Sequence, residues 1–353
     1  MKKIVAIIII LCLNALFLQR EGGAVLAQDI HFSQFYMAPL TLNPGYAGAL
    51  YGMEANANYK EQWRSVGSPY KTIAASYSLS LQKKKRAKGY FALGVNFFSD
   101  KAGDSKMGTS QANVTAAGHV YINRYMKFGG GLQIGFAQRS IDYTPLTWGN
   151  QFDGMAYNPN LSSRENLPEA SSTMYPDVSA GIVYSYNNTA GMRRVTDNND
   201  FRVNLGLAVF HASRPSYSFI GTEEKLFAKF VLHGNSLLSI PYSNIGFVPG
   251  FAVYNQGPAV EVFAGTMVRY VFAQKSKYTG NRTTNALSLG GYLRAKDAAV
   301  IAFMLEYSKY SIGMSYDVNV SRLKVASVGR GGFELSLRFN AANPFMVNSR
   351  SRF

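Results

Sequence analysis

Strict alternation of apolar and polar residues is the dominant pattern of this chain. It is clearest near the C-terminus, where every second residue is apolar. The apolar residues there are Phe333, Leu335, Leu337 and Phe339, and the residues between them are Glu334, Ser336 and Arg338. Successive side chains of a β-strand point to opposite faces, so the segment predicts a strand with one apolar and one polar face. On this register, an aspartate at Leu335 or Leu337 would enter lipid, whereas one at Ser336 would matter much less.

The same alternation recurs along the chain and predicts about fourteen strands. By pattern they begin near residues 53, 70, 89, 107, 125, 177, 201, 227, 244, 258, 284, 298, 310 and 331. Many segments reach about ten residues, the length of a tilted membrane crossing. We therefore predict an all-β fold, a transmembrane antiparallel β-barrel with both termini periplasmic. A soluble β-sandwich, which also alternates, is the alternative.

Composition favours the barrel. Charged residues make up 16% of the chain, against about 25% in soluble proteins. A surface so poor in charge must be buried or covered by lipid. Beyond Leu18 no apolar run approaches the roughly 20 residues of a spanning helix, so only strands could cross a membrane.

The first residues have the order of a secretory signal peptide. Lys2 and Lys3 precede an apolar stretch, residues 4–18, and Ala27 is a small residue at a suitable cleavage site. The apolar stretch is too short for an uncleaved anchor. We expect cleavage near Ala27 and export to the bacterial outer membrane. Cys12, the single cysteine, would be removed, which excludes disulfides and thiol chemistry.

These patterns divide the chain into four parts. We expect a signal peptide at 1–27, an N-terminal motif segment at 28–52, a barrel at 53–340 and a C-terminal tail at 341–353. Within the barrel, residues 141–175 form the longest stretch without alternation. Long connections of such barrels are external, so this stretch predicts an extracellular loop.

The formal net charge of +16 raises the question of where the cations lie. Seven of them fall on polar strand faces and would point into the lumen or its rim: Lys127, Arg139, Arg202, Lys229, Arg269, Arg294 and Arg338. A cationic lumen favours anions or acidic protein segments. Equally, these cations could pair with Glu261, Glu306 and Glu334 or with lipopolysaccharide phosphates. Dispersed positive charge on an exported chain does not indicate nucleic-acid binding.

No pattern of residues points to catalysis. The chain has four histidines, no HExxH and no GxSxG. His233 falls on a polar strand face beside Lys229 and Asn235, without an acidic neighbour on that strand. Residues 329–332, GRGG, lack the lysine and helix of a nucleotide-binding loop. We expect no catalytic residue, no cofactor and no metal site.

Two long motifs, one near each end of the chain, resemble those of a known protein family. Residues 28–48, QDIHFSQFYMAPLTLNPGYAG, and residues 315–339, SYDVNVSRLKVASVGRGGFELSLRF, resemble the ends of PorP/SprF proteins, outer-membrane proteins of the type IX secretion and gliding apparatus. Between them, QWRSVGSPYKT at 62–72 and WGNQFDG at 148–154 are similar to strings of that family, although Asn150 stands where the family usually has aspartate.

The resemblance implies a non-enzymatic barrel that secretes, delivers or anchors cargo such as adhesins. Its partners would be secretion machinery on the periplasmic side, and the C-terminal regions of adhesins outside. From the residues alone, an anion-preferring porin remains the alternative.

Two groups of residues are candidates for partner docking. The first comprises Asn43, Pro44, Gly45, Tyr46 and Trp148. The NPGYAG string that begins at Asn43 could form either a tight chain reversal or part of a plug or docking surface. The second group is a basic turn predicted to face the periplasm, consisting of Lys83, Lys84, Lys85, Arg86 and Lys88. It could bind an acidic partner, or be a solvated turn or a lipid contact.

Overall fold

The fold is described from a computed structural model. It describes residues 29–65, 67–81, 88–165, 171–188, 200–219, 225–273, 285–321, 327 and 329–341. The predicted signal peptide, the basic residues Lys83 to Arg86 and the predicted tail beyond Ala341 lie outside this part of the chain.

Fourteen antiparallel strands form one closed barrel. They are β1 (Met53–Gln62), β2 (Tyr70–Leu81), β3 (Gly89–Ala102), β4 (Met107–Tyr121), β5 (Met126–Ser140), β6 (Ser172–Asn187), β7 (Phe201–Phe210), β8 (Lys229–Ser239), β9 (Ile245–Gln256), β10 (Ala259–Ala273), β11 (Asn285–Arg294), β12 (Ala298–Tyr307), β13 (Tyr310–Asn319) and β14 (Arg330–Ala341). Each strand pairs with its neighbours in sequence, and β1 pairs with β14 to close the ring. The predicted fourteen-stranded barrel is confirmed.

The predicted alternation gives the wall its two faces. On β14, Leu337 points outward and is 47% exposed, whereas Glu334 points inward and is 1% exposed. On β13, Ile312, Met314 and Tyr316 are exposed, and Ser315 and its polar neighbours are buried. A closed ring leaves no strand edge unpaired, which is what an apolar surrounding requires.

The two ends of the barrel differ. At one end, here called the terminus end, β1 begins and β14 finishes; the opposite end is called the loop end. The loop end carries the longest connection between described strands, residues 141–171. Strand β6 begins at Ser172 rather than near residue 177, so Tyr175, predicted as the last residue of the loop, lies on the strand.

Residues 29–52 form no strand and fold into short helical turns. These are Phe35–Met37, Pro39–Leu42 and Pro44–Tyr46. Pro39 and Pro44 stand at the starts of two of them, where the missing amide hydrogen costs nothing. The Asn43 side chain accepts a hydrogen bond from the Gly45 amide and so begins the third turn. No helix in the described residues is both long and apolar enough to cross a bilayer.

Candidate functional site: the occupied lumen

The N-terminal segment lies inside the barrel. We call residues 29–52 the plug. Its first residue, Asp29, is at the loop end, where its amide donates to Gln256 Oε1 over 2.9 Å at the end of β9. Midway, Asn58 of β1 donates to the carbonyl of Met37. The plug leaves the lumen at the terminus end and continues directly into Met53. The first and last described residues, Asp29 and Ala341, therefore lie at opposite ends of the barrel.

Apolar side chains of the plug build a core within the lumen. Phe35, Met37 and Tyr46 are almost fully buried and pack with wall residues such as Phe263 and Tyr292. The Phe35 and Tyr292 rings meet edge to face, with centroids 5.8 Å apart. A single buried side chain of this size stabilises a fold by about 1.5–3 kcal/mol. The lumen is thus packed in the manner of a protein interior.

Glycines on the inner face let the plug approach the wall. A Cβ built on Gly181 would lie 2.1 Å from Asn43 Oδ1, one on Gly131 would lie 2.5 Å from the Pro44 carbonyl oxygen, and one on Gly313 would lie 2.0 Å from Gln34 Oε1. No side chain fits at such distances. Glycine in a strand often marks a close approach of another chain, and here that chain is the plug.

Asn43 is the central polar contact of the plug. Its Nδ2 lies within 3.1 Å of the carbonyl oxygens of Ile182 and Leu207 and 3.0 Å from His233 Nε2. His233 Nδ1 lies 3.4 Å from the Tyr46 hydroxyl. The buried side chain of His233 therefore has a structural role in holding the NPGY turn.

The carbonyls that follow this turn are held by side chains of the wall. His119 Nε2 lies 2.7 Å from the Ala47 carbonyl oxygen, and the Tyr90 hydroxyl donates to the Gly48 carbonyl over 2.9 Å. Lys127 donates to the Ala49 carbonyl. Gly48 has a φ of 62°, a conformation that glycine adopts without strain. Three consecutive carbonyls are thereby satisfied although they are buried.

Glu334 of β14 binds the plug through backbone amides. Its two carboxylate oxygens accept from the amides of Ser33 and Gln34 at 2.8 and 2.9 Å. Ser33 Oγ also donates to Asp317, which is paired with Arg294 at 2.6 Å. Hydrogen bonds to a charged acceptor are about twice as strong as neutral ones, so this contact is a principal polar anchor of the plug.

A cluster of charges fixes the start of the plug at the loop end. His211 lies between Asp29 and Asp177, with Nε2 2.6 Å from one carboxylate and Nδ1 3.0 Å from the other. Burial lowers the pKa of His211, but the two carboxylates outweigh it and raise that pKa to about 10. Burial raises the pKa of Asp29, but His211 and Lys229 together hold it well below its usual value. Asp29 and His211 are therefore both charged at neutral pH.

The seven cations predicted for the lumen or its rim all have partners. Carboxylates pair with five of them: Lys229 with Asp29, Arg202 with Asp200, Arg269 with Glu306, Arg294 with Glu261, Asp297 and Asp317, and Arg338 with Glu54. Lys127 binds the plug, and the Arg139 guanidinium stacks over the Tyr217 and Phe219 rings. The sequence left two interpretations open, a cationic lumen for anions or pairing within the barrel. In the structure the cations are paired within the barrel.

The docking candidates fall in three places. Asn43, Pro44, Gly45 and Tyr46 are buried inside the lumen, so a partner cannot contact them in this conformation. Trp148 is half-buried in the long loop at the loop end. Of the basic turn only Lys88 is described, and it is exposed. The sequence indicated a plug as one alternative for residues 43–46, but the extent of the plug was missed.

The architecture defines a class: a β-barrel with an apolar outer wall, of the type found in outer membranes, that is closed by its own N-terminal segment. The sequence profile of the type IX secretion system membrane protein PorP/SprF matches residues 24–339. The chain belongs to this family.

No curated protein matches the chain. Among solved structures it is similar to BamA from Haemophilus ducreyi lacking POTRA domains 1–3, at 11% identity over 82% of this chain and 70% of that one, with a TM-score of 0.40. It is also similar to a Pseudomonas aeruginosa FadL homologue, at 10% identity over 90% and 96% of the two chains, with a TM-score of 0.36.

Proposed function

We propose that this protein is a permanently plugged outer-membrane barrel that serves type IX secretion as a docking component, needed for surface delivery or anchoring of cargo such as adhesins, and that it is not an enzyme. Family membership supports the secretion role. The observation that carries the docking role is the filled lumen: residues 29–52 occupy it and are bonded to the wall at both ends of the barrel.

An anion-preferring porin is the alternative, and it requires an open aqueous path. Here Arg269, Arg294 and Arg338 are largely buried in ion pairs, and Lys127 binds the plug. A plugged lumen leaves the outer surfaces of the barrel as the places where partners bind. The protein then works by holding other proteins, not by passing solutes.

The loop end is proposed to face the outside and the terminus end the periplasm. Long connections of outer-membrane barrels are external and turns on the other side are short. The connection of residues 141–171 is at the loop end. The basic residues from Lys83 to Lys88 join β2 to β3 at the terminus end, where they would meet an acidic periplasmic partner of the secretion machinery.

Conductance in planar bilayers tests the plugged barrel. The purified protein should insert without stable single-channel steps, because residues 29–52 fill the lumen. A matched variant lacking residues 29–50 should give stable steps if it assembles. Stable, anion-selective steps from the unaltered protein would show that the porin alternative is correct.

The docking role needs a separate test in cells. Affinity purification from native membranes should recover secretion machinery components, and cells without the protein should display less cargo on their surface. Unchanged surface display in its absence would refute the proposed function, whatever the conductance result.

A further inference from the structure

The long loop at the loop end contains a small ordered unit, residues 148–161. The buried side chain of Gln151 holds it together: Oε1 accepts from the Trp148 amide over 3.1 Å and Nε2 donates to the Leu161 carbonyl over 3.2 Å. The Asn158 amide donates to the Gln151 carbonyl over 2.8 Å. These polar groups therefore form hydrogen bonds within the unit.

A tight turn at the tip of this unit is equally well defined. Phe152 and Tyr157 form an antiparallel bridge, and the Asp153 carboxylate accepts from the amides of Met155 and Ala156 at 2.9 Å. Gly154 has a φ of 101°, a backbone conformation that residues other than glycine rarely adopt. The turn is therefore preorganised, which reduces the entropy lost on binding.

The apolar side chains of the unit point away from the protein. Met155 is 95% exposed, Phe152 60% and Tyr157 49%, and Leu161 is also exposed. An ordered loop that hydrogen-bonds its own amides and exposes aromatic and methionine side chains has the composition of an interface centre. We call these four residues the apolar tip.

Two observations argue that the apolar tip does not rest on lipid. Strands β3 to β6 are 14–16 residues long, whereas a tilted crossing needs about 9–11. At the loop end β6 extends beyond β7, which pairs only with Ala180–Asn187, and this extension raises the 141–171 connection away from the bilayer. In addition, segments that lie on membranes carry Lys and Arg beside their apolar residues.

This loop is net negative, whereas membrane-lying segments and the chain as a whole are net positive. The connection of residues 141–171 contains four acidic residues, Asp142, Asp153, Glu165 and Glu169, and one basic residue, Arg164, in a chain of net charge +16. An anionic lipid surface would repel it. A protein surface with basic residues around an apolar patch would complement it.

We propose that the apolar tip is the site where a secreted protein docks on the outer side of the barrel, through an apolar surface of that protein bordered by Lys and Arg. This assignment rests on the proposed function, because it names the place at which a delivered protein is held. Phe152, Met155 and Tyr157 would enter the partner, and the net negative charge of the loop sequence would orient it.

Maleimide labelling of single cysteines tests this site. Cys12 is the only cysteine in the sequence, so a Cys12→Ser background gives a clean start. Met155→Cys probes the tip, and Ser162→Cys, exposed on the same loop, is the matched control. An impermeant maleimide is applied to intact cells and to the purified protein in lipopolysaccharide-containing proteoliposomes. We expect position 155 to be protected in cells and open in proteoliposomes, with position 162 open in both.

Each of the other labelling outcomes contradicts one part of the proposal. Equal, rapid labelling of position 155 in both preparations means that nothing docks there, and protection in both means that the tip lies on lipid. Labelling of position 162 in cells only after permeabilisation would refute the proposed orientation instead.

Surface display separates this site from the function as a whole. The double variant Phe152→Ser and Tyr157→Ser should assemble normally, because both side chains are exposed, yet display less cargo than the unaltered protein. Val120→Ser, an exposed position at the opposite end of the barrel, is the control. If removal of the whole protein lowers display but the double variant does not, the apolar tip is not the docking site and the proposed function stands.

Discussion

Single glycines on the inner face determine whether the plug fits. At Gly181 an added methyl group would meet Asn43 Oδ1 at 2.1 Å and Pro44 Cδ at 3.1 Å. Asn43 cannot move aside, because its side chain already binds the Gly45 amide and the carbonyls of two strands. Its position is therefore fixed by both plug and wall.

We expect Gly181→Ala to destabilise the assembled barrel by about 1–3 kcal/mol, the range for overpacking a well-packed interior. The thermal midpoint of heat-modifiable migration in gels measures this. Gly118→Ala is the matched control on the outer face, where the added Cβ would lie 3.7 Å from its nearest neighbour, Phe91 Cε1. Equal midpoints for the two variants would show that the plug does not press on the wall at this position.

His211 gives the attachment of the plug a pH dependence with a defined sign. Its pKa is raised from 6.5 to about 10, so its contribution to stability is complete below pH 6.5, decreases as the pH rises, and is lost above about 10. Replacing it with Gln would remove the cation paired with the buried Asp177 and leave Asp29 with Lys229 alone, at a cost on the order of 3 kcal/mol.

The measurement is the stability difference between the unaltered protein and His211→Gln at several pH values. The difference should be largest near pH 6 and should shrink towards zero near pH 10. A difference that grows with pH, or stays constant, would contradict a charged His211 in the folded state.

Among elements, the strands were predictable from the sequence and the plug was not. Period-two alternation is a local signal, so thirteen of the fourteen predicted starts lie within two residues of the observed ones. The plug is held by contacts between residues far apart in sequence, such as Ser33 with Glu334. A local pattern cannot reveal such contacts. The inward glycines at Gly131, Gly181 and Gly313 were the available signal.

Because the plug fills the lumen, one sequence-based expectation for β14 changes. Sequence alone suggests that an aspartate at Ser336 would be tolerated, since a polar face normally meets water. In the structure Ser336 is fully buried and accepts a hydrogen bond from Asn58 over 2.8 Å. A carboxylate there would be buried on the same inner face as Glu334, two residues away, so Ser336→Asp is also expected to be destabilising.

Leu337 tests the outer face of β14. Leu337→Arg places a charge in lipid, which costs about 2–4 kcal/mol near the bilayer midplane. We expect a clear loss of the heat-modifiable barrel in outer-membrane fractions. Asn340→Arg is the control on the inner face of the same strand, where Glu54 is its partner across the β1–β14 pair. Equal loss for both variants would contradict the register.

At the scale of the whole molecule, periplasmic docking can be tested at the connection between β2 and β3. Replacing Lys83, Lys84, Lys85, Arg86 and Lys88 with Ser and Gln changes only the connection between β2 and β3. We expect normal barrel assembly, because no strand residue is altered, together with weaker co-purification of the machinery and less cargo at the surface. Normal partners and delivery at physiological salt would leave only a solvated turn or a lipid contact.

The covalent link at Met53 makes the plug a ligand tethered to its own receptor. Such a tether gives an effective concentration on the order of millimolar. A displaced plug therefore returns to its site at a rate that does not depend on how many copies the membrane holds. A free peptide of residues 29–50, added to a barrel that lacks them, would need a similarly high concentration to reach the same degree of closure, so a soluble peptide of equal affinity at micromolar levels would not displace the tethered plug.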